Sequence, residues 1–400
     1  MLFSVAFSHR RAKVIRPSMI SVVIPTYKEA DSIQEVIRRS GTALAQSGEE
    51  YELIVVDDNS GDGTAKLAEK LSNEFHVRVL RRPGRQGLAT AVVDGWKLAQ
   101  GELLGVIDAD LQHPPEILNA LAAALRVSNA NLAVASRYIA GGGTSDWEFS
   151  RRVISWGATH LAASVLPLKL SAVSDPMSGM FMVRSAALAG ATLSPLGYKI
   201  LLEVLAKGQI EHVVEVPYQF EERTRGSSKL GLRQYGEYLA HLFRLSFSTG
   251  QFRAWLAYSL VGLTGAALDL GLIYLIAGRA GGKPVWAVPL AVELALLWNF
   301  LWNQKVTFAR RLRSTSANAG GASRLWLYQK VCLPGAILNI CLTLFLAGQG
   351  VRLVLAAAAG VVLDGMVNLF FNVPSIWKIW GPRTSTSGGA GQVAEQRRQT

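Results

Sequence analysis

Between residues 254 and 373 the sequence runs through four apolar stretches: AWLAYSLVGLTGAALDLGLIYLIAG (254–278), PVWAVPLAVELALLWNFLWN (284–303), VCLPGAILNICLTLFLAG (331–348) and LVLAAAAGVVLDGMVNLFFNV (353–373). Each is about 20 residues long, and a helix of that length covers a hydrocarbon core of roughly 30 Å. Four of them in succession leave nothing polar to cover them, so membrane spans account for them better than buried helices of a large soluble domain.

The remainder of the chain has a different solvent. The protein carries 41 basic and 29 acidic residues, a net charge of +12, although half of its residues are hydrophobic. The acids lie mostly before residue 240 and the uncharged stretches after residue 253, which divides the chain into a soluble half and a membrane half. Basic residues beside spans face an anionic leaflet. No aromatic-studded basic stripe is present, so nucleic acid is not an expected partner. Arg233, Arg244 and Arg253 precede the first span; Lys305, Arg310, Arg311, Arg313, Arg324 and Lys330 lie between the second and third; Lys378, Arg383, Arg397 and Arg398 follow the last. The other two loops hold only Arg279, Lys283 and Arg352. This bias predicts a multi-pass protein with both termini and the soluble half in the cytoplasm, in the plasma membrane if the source is prokaryotic.

At the N-terminus, MLFSVAF precedes the basic SHRRAKVIRPS and no small-residue cleavage site follows, so residues 1–19 are expected to form a short leader rather than a signal peptide. Cys332 and Cys341 fall inside an apolar stretch without ligand spacing, which argues against disulfides and zinc. Asp269, Glu293 and Asp364 lie within spans, near Asn299, Asn303 and Asn368. Ionisable groups at membrane depth face a bundle interior or a polar cavity and are functional candidates; the plainer alternative is that they tie helices together by hydrogen bonds. WNFLWNQKVTFARR (298–311) resembles the closing motif of the second span in GtrA-type membrane domains. That resemblance implies a four-span domain over 252–378, associated with polyprenyl-linked sugars. The Gly/Ser/Thr-rich residues 379–400 are expected to be a disordered tail.

In the soluble half, SVVIPTY (21–27), YELIVVDD (51–58), VRVLRR (77–82) and ELLGVIDAD (102–110) read as strands, separated by helical patterns over 30–46, 63–74 and 87–100. The alternation predicts a parallel sheet in a Rossmann-like layer sandwich, whose ligands sit at the carboxyl ends of strands. The polar residues Thr26, Tyr27 and Glu29, then Asp57 and Asp58, then Asp108 and Asp110 fall there. Neither a G-x-G-x-x-G fingerprint nor a P-loop occurs, which disfavours dinucleotides and P-loop chemistry. Two carboxylates at a strand end suit a hard divalent cation, Mg²⁺ or Mn²⁺, whose shell a substrate diphosphate completes. A D-x-D alone is weak evidence for this; its place after an apolar strand, with a second acidic pair after an earlier one, strengthens it. The structural alternatives are that Asp57 and Asp62 cap the helix near Gly63, and that His113 is a loop residue.

VVIPTYKEADSI, IVVDDNSGDGTA, GLATAVVDGWKLAQGELLGVIDADLQHPPE, ASRYIAGGG, SRRVISWGATHLA, SDPMSGMFMVRS and EVPYQFEERTRGSSKLG occur in order over residues 20–232. Together they resemble the polyprenol-phosphate mannose synthases, which are inverting family-2 glycosyltransferases. The resemblance implies a GT-A glycosyltransferase domain over 20–230. It implies that Pro25, Tyr27, Glu29, Val56 and Asp58 line the nucleotide pocket, that Asp108, Asp110 and Gln112 hold the metal and the sugar diphosphate, and that the Ala109 backbone meets the ribose. Arg137, Arg223, Lys229 and either Arg151 or Arg152 would place positive charge around the phosphates, alignment through RRVIS favouring Arg151. The implied donor is GDP-mannose and the implied acceptor a polyprenyl (dolichyl) phosphate. A phosphate monoester is already anionic, so no catalytic base is expected.

Residues 231–251 should form an amphipathic helix at the bilayer surface, with Leu232, Tyr235, Leu239, Leu242 and Phe243 on one side; VISWGATHLAASVL (153–166) is a second candidate. The rival readings are glucose transfer from UDP-glucose to the same lipid, and a lipid-linked sugar flippase or scaffold role for the membrane half. A processive polysaccharide synthase is disfavoured because no Q-x-x-R-W follows the D-x-D.

Overall fold

Alternate side chains of the first strand serve two different cores. In β1 (Arg16–Thr26), Ile20, Val22 and Ile24 enter one apolar cluster and Val23 the other; in β2 (Glu50–Asp57), Leu53 and Val55 separate from Ile54 and Val56 in the same way. A strand covered by helices on both faces needs no polar face, which is why these runs are continuously apolar. Residues 16–144, 149–166, 173–221, 232–309, 321–368 and 375–376 are described by the computed structural model. The chain divides into two units, Met1–Arg253 and Ala254–Thr400.

In the first unit, β1, β2, β3 (Val77–Arg81) and β4 (Gly101–Val106) form a parallel set in the order β3-β2-β1-β4. β5 (Leu132–Ser136), β7 (Phe181–Arg184) and β8 (Val213–Pro217) extend it to seven strands, in the order β4-β7-β5-β8. A two-residue strand β6 (Gly143–Thr144) pairs with β9 (Gln219–Phe220) in a separate ribbon. The expected parallel sheet is therefore mixed, because β7 runs antiparallel to both its neighbours. The register Val106↔Phe181 brings the loop preceding β7 to the sheet edge where β4 ends.

The helices α1 (Ile33–Ala45) and α4 (Ile117–Val127) bury Ile33, Val36, Ile37, Leu118, Leu121 and Leu125 on one face. On the other face lie α3 (Leu88–Leu98), α5 (Phe149–Val165), α6 (Ile200–Lys207) and α7 (Leu232–Ser248), with Trp96, Leu202 and Leu245 fully buried. A short α2 (Thr64–Glu69) follows the turn after β2.

In the second unit, α8 (Gln251–Ile273), α9 (Pro284–Trp302) and α10 (Gly321–Gly348) belong to three helices long and apolar enough to cross a membrane, the first two continuing as π-turns to Arg279 and Thr307. The fourth apolar stretch is seen as α11 (Leu353–Val367), 15 residues long; its remainder, 369–373, lies outside the described residues, as do the N-terminal 1–15 and the tail 379–400.

Candidate active site

Among the described residues, three other than glycine have left-handed backbones, Lys28, Asn59 and Leu111, with φ of 57°, 61° and 61°. They follow β1, β2 and β4 at the same edge of the parallel sheet. Such conformations are sparsely populated for side chains with a Cβ and collect where surrounding structure holds a loop in a required shape. Here Lys28 N–H donates to Ser60 Oγ at 2.9 Å and Glu29 N–H to Thr64 Oγ1 at 3.1 Å, so the β1 and β2 loops fix one another.

Of the two acids expected to cap the helix near Gly63, Asp62 holds Thr64, the first residue of α2, while Asp57 bonds Ser60, ahead of that helix. Asp57 accepts the Ser60 N–H at 3.1 Å and the Ser60 hydroxyl, while Asp62 accepts the N–H and hydroxyl of Thr64 at 3.0 and 2.6 Å, at the start of α2. Asp58 is buried and accepts Arg82 Nη1 at 2.8 Å, Gln86 N–H at 2.9 Å and Gly87 N–H at 2.8 Å. It thus anchors the loop ahead of α3, whose Arg85 guanidinium stacks 4.2 Å over the Tyr27 ring. Pro25 and Val56, paired in register across β1 and β2, are buried.

Beyond β4, Ile107 and Ala109 turn into the core while Asp108 and Asp110 remain half-buried at the surface of the edge. Asp110 Oδ1 accepts the Gln112 N–H at 3.2 Å, and Gln112 Nε2 donates to the Glu221 carbonyl at 3.3 Å. Gly179, in the loop before β7, passes so close to Asp108 that a Cβ there would collide with its carboxylate and lie 3.1 Å from the His113 ring. Glycine at that position lets the loop approach the acid.

His113 is packed rather than exposed. It stacks on Tyr218 at 5.4 Å and meets Phe220 edge-on at 5.2 Å, with Nδ1 3.9 Å from Asp108 Oδ2. Burial pushes its pKa down to about 4, against the opposing field of Asp110, so the ring is neutral at pH 7.

Arg137, immediately after β5, holds Asp175 through Nε and Nη2, both at 2.7 Å, and its N–H reaches the same carboxylate at 3.2 Å. Burial alone would lower the Arg137 pKa, but the Asp175 carboxylate raises it, so the guanidinium is permanently charged. A buried charge of this kind requires such a partner. Lys199, at the start of α6, donates to the Met177 carbonyl at 2.6 Å; burial and the nearby Arg137 hold it down to about 8, while Asp108 and Asp175 pull the other way. Neither Lys199 nor the Arg137–Asp175 pair was expected from sequence. Arg223 and Lys229 lie outside the described residues, as does the side chain of Arg151, whose backbone is in α5.

The two faces of α7 differ from the expected single stripe. Tyr235, Leu239, Phe243 and Phe247, four residues apart, are exposed, whereas Tyr238, His241, Leu242 and Leu245 are buried in the domain core. Leu242 therefore belongs to the packing face, and its burial stabilises the docked helix by about 2 kcal/mol. The Tyr238 hydroxyl donates to the Ala158 carbonyl of α5 at 2.7 Å, and α5 itself exposes Ile154 and Trp156.

Residues 21–189 match the glycosyl transferase family 2, and residues 257–377 match the GtrA/DPMS transmembrane domain. The two family matches and the apolar helices define a membrane-embedded glycosyltransferase. A dolichol-phosphate mannosyltransferase of Pyrococcus furiosus is 38% identical over 90% of this chain and 99% of its own length, and that of Saccharomyces cerevisiae is 36% identical over 56% of this chain and 86% of its own. The chain belongs to the dolichol-phosphate mannosyltransferase family. A solved glucosyl-3-phosphoglycerate synthase from Mycobacterium tuberculosis superimposes on 58% of this chain and 79% of its own with a TM-score of 0.44 at 22% identity.

Proposed function

We propose that this protein transfers mannose from GDP-mannose to a polyprenyl (dolichyl) monophosphate at the membrane, inverting the anomeric carbon to give the β-linked lipid. The observation that carries this reading is the meeting of Asp108, Asp110 and Gln112 beyond β4 with Tyr27 beyond β1 at one sheet edge, in a chain that covers 99% of a 38% identical mannosyltransferase.

The donor set beyond β4 fits a divalent cation. Two carboxylates one residue apart and one amide are hard oxygen ligands, and the missing Cβ of Gly179 keeps the closely packed loop from colliding with the Asp108 carboxylate. With two carboxylates and one amide from the protein, a substrate diphosphate would complete the shell of such an ion. Asp108, Asp110 and Gln112 would hold Mg²⁺ or Mn²⁺, which when bound supplies positive charge to the departing diphosphate.

Tyr27, Glu29, Pro25, Val56 and Asp58 shape the nucleotide pocket, and the Ala109 backbone faces the ribose. An acceptor phosphate carries about 1.5 to 2 negative charges near neutrality, so the protein's task is to hold two anions together rather than to remove a proton. Lys199 adds positive charge below about pH 8, and Arg137, Arg151, Arg223 and Lys229 are assigned to the phosphates. Attack from the face opposite the leaving diphosphate inverts the anomeric centre. The exposed Tyr235, Leu239, Phe243 and Phe247 of α7 rest on the cytoplasmic leaflet, where the lipid phosphate lies, and both termini are cytoplasmic.

Membranes containing the protein, supplied with a polyprenyl phosphate and labelled GDP-mannose or UDP-glucose, test this reading. Lipid-extractable label from GDP-mannose alone, lost in Asp110→Ala, is the expected result; label from UDP-glucose alone would reassign the donor.

A further inference from the structure

The membrane unit holds a half-open cavity of about 440 Å³, lined by none of the residues assigned to the transfer reaction. Its polar lining comes from four helices: Asp269 on α8, Asn299 on α9, Asn339 on α10 and Asp364 on α11, with Asn303 and Asn368 in the turns that continue α9 and α11. No Lys, Arg or His lines it among the described residues.

Asp269 is 3% exposed. Its Oδ2 receives the Asn339 amide at 3.4 Å, but Oδ1 has no hydrogen-bond partner, and neither does the buried Oδ1 of Asn299. Asp364 accepts the Asn368 amide at 2.8 Å and lies against Gly335, where a Cβ would collide with its carboxylate. Gly335 and Asn339 are one turn apart on α10, so the two carboxylates flank a stretch of about 6 Å along that helix. Gly265 makes the same allowance for Asn299.

These groups decide the sign and hardness of a ligand. Two carboxylates without a neighbouring base repel phosphates, including the phosphodiester of a glycolipid. An ionised carboxylate at membrane depth must be compensated, and the available donors are all oxygens, which select a hard cation. The solvation cost of an ion grows with the square of its charge, Mg²⁺ gives up its waters reluctantly, and no cluster of three acidic, His or Cys ligands lies together among the described residues. A monovalent ion fits better than a divalent one.

We propose that this cavity binds a sodium ion, held by Asp269 with oxygens of Asn299 and Asp364. The site is separate from the strand-end carboxylates and does not depend on the mannose reading. The test is equilibrium binding of ²²Na⁺ to the full-length protein in lipid nanodiscs, with Trp255 in the cavity wall as a fluorescence reporter. Saturable binding, displaced by unlabelled Na⁺ but not by choline, should weaken at least tenfold in Asp269→Asn and in Asn299→Val, and should persist in Asp110→Ala. Should Asp269→Asn fail to yield monodisperse protein, Asn299→Val carries the comparison. Absence of saturable binding by the wild type, a fluorescence response to pH alone, or wild-type affinity in the folded variants would each overturn the proposal. Loss of mannose transfer in Asp110→Ala with sodium binding intact would keep the two sites distinct.

Discussion

Asp175, fully buried in the loop ahead of β7, grips the guanidinium of Arg137, at the end of β5, through two hydrogen bonds of 2.7 Å. The pair fastens the antiparallel strand's loop to the sheet edge that carries Asp108. Removing one partner leaves an uncompensated buried charge, a change that costs about 3–5 kcal/mol. Asp175→Asn should therefore lower the thermal unfolding midpoint and weaken nucleotide-sugar binding together. Arg137→Met with Asp175→Leu, which removes both charges, should recover much of the stability but not the binding, as read by differential scanning calorimetry and a nucleotide titration.

Lys199 sets an alkaline limit. Its ammonium, held down to about 8 by burial and by Arg137, is charged below that pH and neutral above it. The kcat/KM for transfer should fall as pH rises through about 8. Lys199→Arg, which stays protonated, should move the limb to higher pH, while Lys199→Met should lose activity at every pH, by roughly 1.4 kcal/mol or more in the barrier for each tenfold.

Much of this site was legible in the sequence, and the reason is local. Asp108 and Asp110 follow an apolar strand directly, and Asp62 sits two residues ahead of Thr64, whose N–H it accepts, so neighbouring residues announce their placement. The Arg137–Asp175 pair was not legible, because its members are 38 residues apart and meet only through the antiparallel placement of β7, which no alternation of strands and helices foretells. Lys199 carries no motif and acquires its place from the start of α6. In α7 the apolar residues occupy most of the helix, so periodicity alone could not separate the buried Leu242 from the exposed Leu239 and Phe243.

The inner face of α7 should release in acid. His241 Nε2 lies 3.0 Å from Glu203 Oε2, and Lys207 Nζ lies 2.6 Å from Oε1. Burial would raise the Glu203 carboxyl, but His241, Lys207 and the Ser194 N–H hold it down to about 2 from an ordinary 4.5. A folded-state value below the unfolded one contributes stability that is present above about 4.5 and lost as pH falls toward 2, amounting to about 3 kcal/mol. Hydrogen exchange in α7 should rise over that window in the wild type, and Glu203→Gln should show the weaker protection already at pH 7.

The outer face of α7 should matter to the lipid and not to the nucleotide. Leu239→Ser with Phe243→Ser alters two exposed side chains and leaves the buried ones in place. The KM for polyprenyl phosphate should rise about tenfold, equivalent to about 1.4 kcal/mol, with nucleotide affinity unchanged. A matching loss of nucleotide binding would mean that the stripe supports the fold instead.

The account turns on whether the acids beyond β4 hold a metal ion with the nucleotide diphosphate, and electron paramagnetic resonance of Mn²⁺ measures that directly on the full-length protein. With GDP present, the wild type should remove one equivalent of the free Mn²⁺ signal, and Asp108→Ala with Asp110→Ala should leave that signal in solution at the same concentrations. Full Mn²⁺ uptake by the doubly substituted protein would contradict the account.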